Sequence, residues 1–129
     1  MPTKVLIADD DHHHLDALKV RFEAEGFEVY CAQDSYHAVR LAKQERPDAV
    51  VLDINMPAGD GFSVQERLGK MDSDKPIPVI YLTGERSQRV ETMSRALNAF
   101  AVIYKPSDSK EIIATVNLAI SFNDSAEAA

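Results

Sequence analysis

A single cysteine, Cys31, stands in the 129 residues. It excludes an internal disulfide framework and fits a reducing compartment. Apolar runs long enough to cross a bilayer are missing. Met1-Pro2-Thr3-Lys4 passes straight into a short apolar run, without the successive regions of a secretory signal. The expectation is a cytoplasmic chain with no membrane role. Positive charge is also short: the formal net charge is −7. Direct, nonspecific nucleic-acid binding needs basic side chains against phosphates, so the balance argues against it. Internal repeats and low-complexity segments are absent. What remains is a composition of 45% hydrophobic and 27% charged residues, that of one globular domain able to bury a core.

Five short apolar runs punctuate the chain: Lys4 to Ala8, Phe27 to Ala32, Ala49 to Leu52, Pro78 to Leu82 and Ala101 to Tyr104. They are rich in β-branched residues and mostly continuous, as strands buried on both faces of a parallel sheet are. The segments between them have helical period. Leu15, Leu18 and Phe22 make one stripe, followed by Ala38, Leu41 and Ala42, then Val64, Leu68 and Met71. Val90, Met93 and Leu97 make the fourth, and Ile112, Ile113, Val116, Ala119 and Ile120 the fifth. Asp108 and Glu111 stand at capping-box spacing before the fifth. Strand and helix alternating five times predict an α/β doubly wound fold with helices on both faces of a five-stranded parallel sheet. The domain is expected over residues 1–122, with 123–129 a flexible tail or the start of a linker.

In such a sheet, ligands bind beyond the carboxyl ends of the strands. The first run ends in Asp9-Asp10-Asp11, the third in Asp53-Ile54-Asn55-Met56-Pro57, the fourth in Thr83-Gly84-Glu85 and the fifth in Lys105-Pro106. A parallel sheet brings these groups to one edge. Crowded carboxylates resist ionising together. Mg²⁺ would resolve the conflict, because it takes one or two carboxylates and leaves room for phosphate oxygens. Lys105 adds a second cation and Thr83 a hydroxyl donor. A carboxylate can attack phosphorus and form an aspartyl phosphate, a reaction that needs mainly positioning and charge neutralisation. Asp53 is the candidate nucleophile. Plainer roles exist for each group. Asp9, Asp10 and Thr83 could cap helices, and Asp11 is expected to cap or face solvent. Consecutive His12, His13 and His14 point in different directions on a helix, so a shared metal ion is not expected of them. Cys31 is expected to be a small buried strand residue. The run Glu85, Arg86, Arg89, Glu91, Arg95 is expected to form the solvated face of the fourth helix.

The four strand-end motifs, in this order, resemble the receiver domain of two-component response regulators over about residues 4 to 121. The resemblance implies the strand order 2-1-3-4-5, a flavodoxin-like arrangement. It implies that Asp53 accepts phosphate from a histidine kinase or phosphotransfer protein. Asp9 and Asp10 match the family's metal-binding acids, with Asp53 and the backbone carbonyl of Asn55 completing the Mg²⁺ ligands. Thr83 and Lys105 match its switch hydroxyl and phosphate-pairing lysine. A downstream protein or output domain is implied as the target. Homodimers through the fourth helix, fifth strand and fifth helix are common in the family. The expected chemistry is limited to autophosphorylation from phosphodonors and self-dephosphorylation, so the chain is not expected to be an enzyme proper. Two positions depart from the pattern: Ser107 stands where Phe is common after the Lys-Pro pair, and Val102 stands where the family has an aromatic switch residue. The departure at Val102 motivates an alternative, a receiver-shaped interaction module indifferent to phosphate. A further alternative, an Asp-nucleophile Mg²⁺ phosphatase, is opposed by Asn55, which stands where those enzymes carry a second acid.

Overall fold

The computed structural model describes residues 2–71 and 76–128. The order of elements is β1 (Lys4–Ala8), α1 (His12–Ala24), β2 (Glu28–Ala32), α2 (Ser35–Glu45), β3 (Ala49–Leu52), α3 (Gly61–Gly69), β4 (Val79–Thr83), α4 (Gln88–Ala96), β5 (Ala101–Tyr104) and α5 (Ser109–Ala128). The sheet has the order β2-β1-β3-β4-β5, and every pairing is parallel. This is the doubly wound, flavodoxin-like arrangement expected. Two strands begin one residue later than expected, and β4 runs on to include Thr83. Pro78 drops out of the strand and serves instead through its carbonyl, which accepts from Val50 N–H. The last helix continues to Ala128, past the expected boundary at residue 122; Ala129 lies outside the described residues.

Alternation along the strands divides the core in two. Leu6, Val50, Leu52, Val79 and Tyr81 pack toward α2, α3 and α4. Val5, Ile7, Val51, Ile80 and Leu82 pack toward α1 and α5. The central strands β3 and β4 are buried throughout, which is why their sequence reads as continuous apolar runs. The helical stripes hold: Leu15, Leu18, Phe22, Val64, Val90, Ile112 and Val116 are all buried.

Short polar side chains start the helices. Asp11, Asp34, Asp60 and Ser87 each accept from backbone N–H groups in the first turns of α1, α2, α3 and α4. Asp11 is therefore a cap, as expected. Asp108 accepts from Lys110 N–H at the start of α5, but the other half of the capping box is absent: Glu111 takes the Ser107 hydroxyl at 3.1 Å instead. The buried polar side chains are also linked. Tyr81 donates its hydroxyl to Gln65, and Gln65 Nε2 donates to the Leu97 carbonyl at 2.8 Å. This chain ties β4 to α3 and to the end of α4.

Candidate functional site

The carboxyl ends of β1, β3, β4 and β5 meet at one edge of the sheet. Asp9 and Asp53 each follow a central strand and are buried, with side chains of low exposure, while Asp10 is exposed. One oxygen from each of the three lies within 4.8 Å of the others. Lys105, just past β5, bridges the pair from the opposite side. Its Nζ is 3.0 Å from Asp9 Oδ2 and 3.1 Å from Asp53 Oδ2. The Lys105 backbone N–H is held by the Thr83 carbonyl at 2.8 Å, so the sheet ladder aims this ammonium.

The Asp53 loop is set from below by close backbone contact. Gly61 N–H donates to the Ile54 carbonyl at 2.8 Å. A Cβ at Gly61 would lie 2.6 Å from the Asp53 carbonyl oxygen, closer than any side chain permits. Gly59 takes φ 114°, and its neighbour Ala58 φ 64°, which bends the loop into the Asp60 cap of α3.

Two charges of like sign and one of opposite sign share this small volume, and the ionisation follows. Burial pushes the Asp53 carboxyl above its ordinary value; the Lys105 charge and hydrogen bond pull it down without cancelling that, and the Asp9 charge adds to the rise. Burial acts on Asp9 in the same direction. There it is outweighed by hydrogen bonds from His14, the Asp11 N–H and Lys105, which hold the carboxyl below the usual range. Burial likewise disfavours the Lys105 ammonium, but the Asp9 hydrogen bond and the Asp53 charge raise it above an ordinary lysine.

His14 is a residue that sequence reasoning missed. Its Nδ1 is 2.7 Å from Asp9 Oδ2, and because a carboxylate only accepts, the ring nitrogen is the donor. His12 and His13 instead stack on each other, ring centroids 4.4 Å apart. The three histidines therefore diverge, as their spacing requires, and one of them turns to the acid cleft. The signal available was the position of His14 on the first turn of α1, directly after the acids.

Thr83 is fully buried, and its Oγ1 accepts the Glu85 N–H at 3.0 Å. Glu85 is the centre of a second polar cluster. Asn55 Nδ2, Ser87 Oγ and the Arg89 guanidinium all donate to it. Arg89 also reaches Asp60 at 3.2 Å and lies over the Phe62 ring, 5.3 Å from its centroid. Part of the charged run expected as a solvated helix face is thus a brace between α4 and the loops after β3 and β4. Arg86 lies 4.5 Å over the ring of Tyr104. Val102 pairs with Tyr81 across the β4–β5 register, and Tyr104 with Thr83. Tyr104 thus shares with Val102 the sheet face that the family's aromatic would occupy, though two residues further on. Cys31 is half-buried, and burial pushes its thiol up.

The family model for the response regulator receiver domain matches residues 5–117. The chain belongs to this family. The receiver domain is 40% identical over 113 residues to the transcriptional regulatory protein PrrA of Mycobacterium tuberculosis, a match that covers 88% of this chain and 48% of PrrA. The chain therefore spans about half the length of the curated relatives it matches. Its backbone is similar to the CheY-like receiver domain protein of Methanospirillum hungatei, with TM-score 0.91 and 25% identity over 97% of this chain and 98% of that one. It also superposes on the receiver domain of the sensor histidine kinase PA1611 of Pseudomonas aeruginosa, with TM-score 0.84 at 21% identity, covering 94% of this chain and 99% of that one. In that structure a magnesium ion is coordinated in the active site cleft.

The donor set of this receiver fits the same ion. It is all hard oxygen, and it gathers three carboxylates against the one ammonium of Lys105. No helix among the described residues is long and apolar enough to cross a membrane.

Proposed function

We propose that this receiver takes a phosphoryl group on Asp53 and uses it to alter a protein-binding surface. The observation that carries the reading is the Lys105 ammonium shared between Asp9 and Asp53 at 3.0 and 3.1 Å, with Asp10 beside them. An Asp53 oxygen attacks phosphorus; the new O–P bond forms as the bond to the donor's histidine nitrogen breaks, and that nitrogen leaves with the electron pair. Lys105 transfers its attraction from the Asp53 carboxylate to a phosphoryl oxygen. Thr83 accepts the Glu85 N–H through its oxygen and so keeps its hydroxyl proton to donate to the phosphoryl group. Asp9, Asp10, Asp53 and the backbone carbonyl of Asn55 would hold Mg²⁺, which supplies charge neutralisation at the phosphoryl oxygens when bound.

The donor is a histidine kinase or phosphotransfer protein, and the target is a downstream protein or output domain. In this reading the receiver spans residues 1–122, and α5 carries on past that point to Ala128. The transcriptional role in the name of PrrA favours a DNA-binding output in a longer chain. The chemistry is confined to the receiver's own phosphoryl group, gained from a donor and lost to water in the cytoplasm.

Incubation with acetyl phosphate and Mg²⁺, followed by intact mass, tests the site. The wild type gains one phosphoryl group; Asp53→Asn gains none. An unmodified wild type overturns the reading, and an equal gain in the variant moves the nucleophile elsewhere. Amide spectra with and without beryllofluoride test the output. Changes that reach α4 and β5 support a phosphate switch; changes confined to the acid cleft support the phosphate-indifferent module that Val102 suggests.

A further inference from the structure

On the α2–α3 side of the sheet, away from the acid cleft, a groove of about 510 Å³ opens between the two helices. Tyr36, Val39, Arg40 and Lys43 line it from α2, and Arg67 and Lys70 line it from the end of α3. The α2 residues follow one another at the spacing of a single helical stripe. The lining holds four cations and no carboxylate among the described residues, in a chain whose net charge is −7. All four cations are exposed, and none of them pairs with a carboxylate among the described residues. Tyr36 is 66% exposed, whereas Val39 is buried and forms the apolar floor.

The helix macrodipole accounts for Lys43 and Arg67, which stand in the last turns of their helices. It favours Lys70 as well, at the C-cap of α3, but does not account for Arg40 or for the exposed Tyr36 on the same stripe of α2. Cations rimming an apolar floor are the complement of an amphipathic acidic segment: carboxylates for the guanidinium forks, and one apolar side chain for the floor. A nucleic acid matches the cations alone, and its approach is opposed by the net charge of the domain. A membrane surface is flat and leaves the floor empty.

We infer that this groove docks an acidic segment of a partner protein, with one apolar side chain seated between Tyr36 and Val39. The inference is independent of phosphate on Asp53. The contacts are exposed, so binding is modest and weakens with salt.

The test uses the ¹⁵N-labelled full chain and a synthetic Glu-rich amphipathic peptide carrying one leucine stripe. Amide shifts over residues 36–43 and 67–70, a several-fold loss of affinity from 50 to 300 mM NaCl, and a loss of about tenfold in Arg40→Glu/Lys43→Glu are expected. Arg21→Glu, an exposed charge reversal on α1, leaves the affinity unchanged. Arg67→Gln/Lys70→Gln gives the same direction of change without reversing charge, should the first pair disturb the fold. Absence of binding overturns the inference, as do shifts centred elsewhere or equal losses in Arg21→Glu. Tighter binding of a single-stranded oligonucleotide or of phosphatidylserine vesicles at the same residues overturns it too, in favour of a phosphate ligand.

Discussion

Asn55 Nδ2 donates to Glu85 Oε1 across 3.3 Å and so joins the loop after β3 to the loop after β4. These are the residues two beyond Asp53 and two beyond Thr83. Their contact is reinforced by Arg89, which grips Glu85 by two nitrogens, at 3.0 and 3.1 Å, and Asp60 by a third. The brace therefore connects the cleft with the start of both α3 and α4.

This brace responds to pH through its acid. Hydrogen bonding to Arg89 first, then to Ser87 and Asn55, holds the Glu85 carboxyl at about 2, against 4.5 when unperturbed. A depressed acid contributes stability above its unfolded value and loses it as pH falls through its folded value. Arg89→Gln is therefore expected to be less stable than wild type at pH 5 to 7, and the gap should close as pH falls from about 4.5 towards 2. Denaturation midpoints across that range measure it. A gap that is flat with pH would mean that Arg89 acts by packing on Phe62 and not through Glu85.

Asp53 has the opposite sign. Its folded value is raised above 3.8, so the ionised carboxylate destabilises the fold at neutral pH, and that burden lifts as pH falls through the folded value. Asp53→Asn should melt higher than wild type at pH 7.5 without Mg²⁺. Addition of Mg²⁺ should raise the wild type and shrink the difference. A variant that melts lower in both buffers would show that Lys105 already more than compensates the buried charge.

Gly61 is expected to tolerate no side chain. A Cβ there meets the Asp53 carbonyl oxygen at 2.6 Å and the Ile54 Cα at 3.0 Å, and both are backbone atoms that cannot swing aside. Gly61→Ala should cost ~1–3 kcal/mol in urea unfolding. It should also slow phosphorylation by acetyl phosphate ~10-fold or more, because the nucleophile is displaced. Unchanged phosphorylation in a destabilised variant would separate the loop's fold from its chemistry.

The Tyr81–Gln65–Leu97 chain predicts a non-additive pair. Gln65→Leu leaves a buried hydroxyl without its acceptor and a carbonyl without its donor, at a cost of ~1–3 kcal/mol. Adding Tyr81→Phe removes the stranded hydroxyl, so the double variant should recover part of that loss in chemical denaturation. Simple additivity would mean that water replaces Gln65.

The strands and the acid cleft were legible because both depend on local pattern. Continuous apolar runs such as Ala49 to Leu52 are what doubly covered strands require, and Asp9, Asp53 and Lys105 stand directly at strand ends, where topology alone brings them together. The contacts made by His14, Arg89 and Gln65 were not legible for the same reason. His14 reaches Asp9 through the pitch of the first turn of α1. Arg89 reads as a surface arginine until α4 is laid beside the Asp60 cap. Gln65 looks like an exposed polar residue, because its partner Tyr81 lies inside an apolar run on a different element. Glu111 shows a further limit: its spacing from Asp108 fits a reciprocal cap, yet the nearby Ser107 hydroxyl competes for it and wins.

The order of the strands has a consequence for the cleft. Asp9 and Asp53 come to lie side by side as soon as β1 and β3 pair, while the ammonium that bridges them follows the last strand. The protein's own counter-charge to this acid pair thus depends on the edge strand of the sheet being in place, because Lys105 is aimed by the β4–β5 ladder.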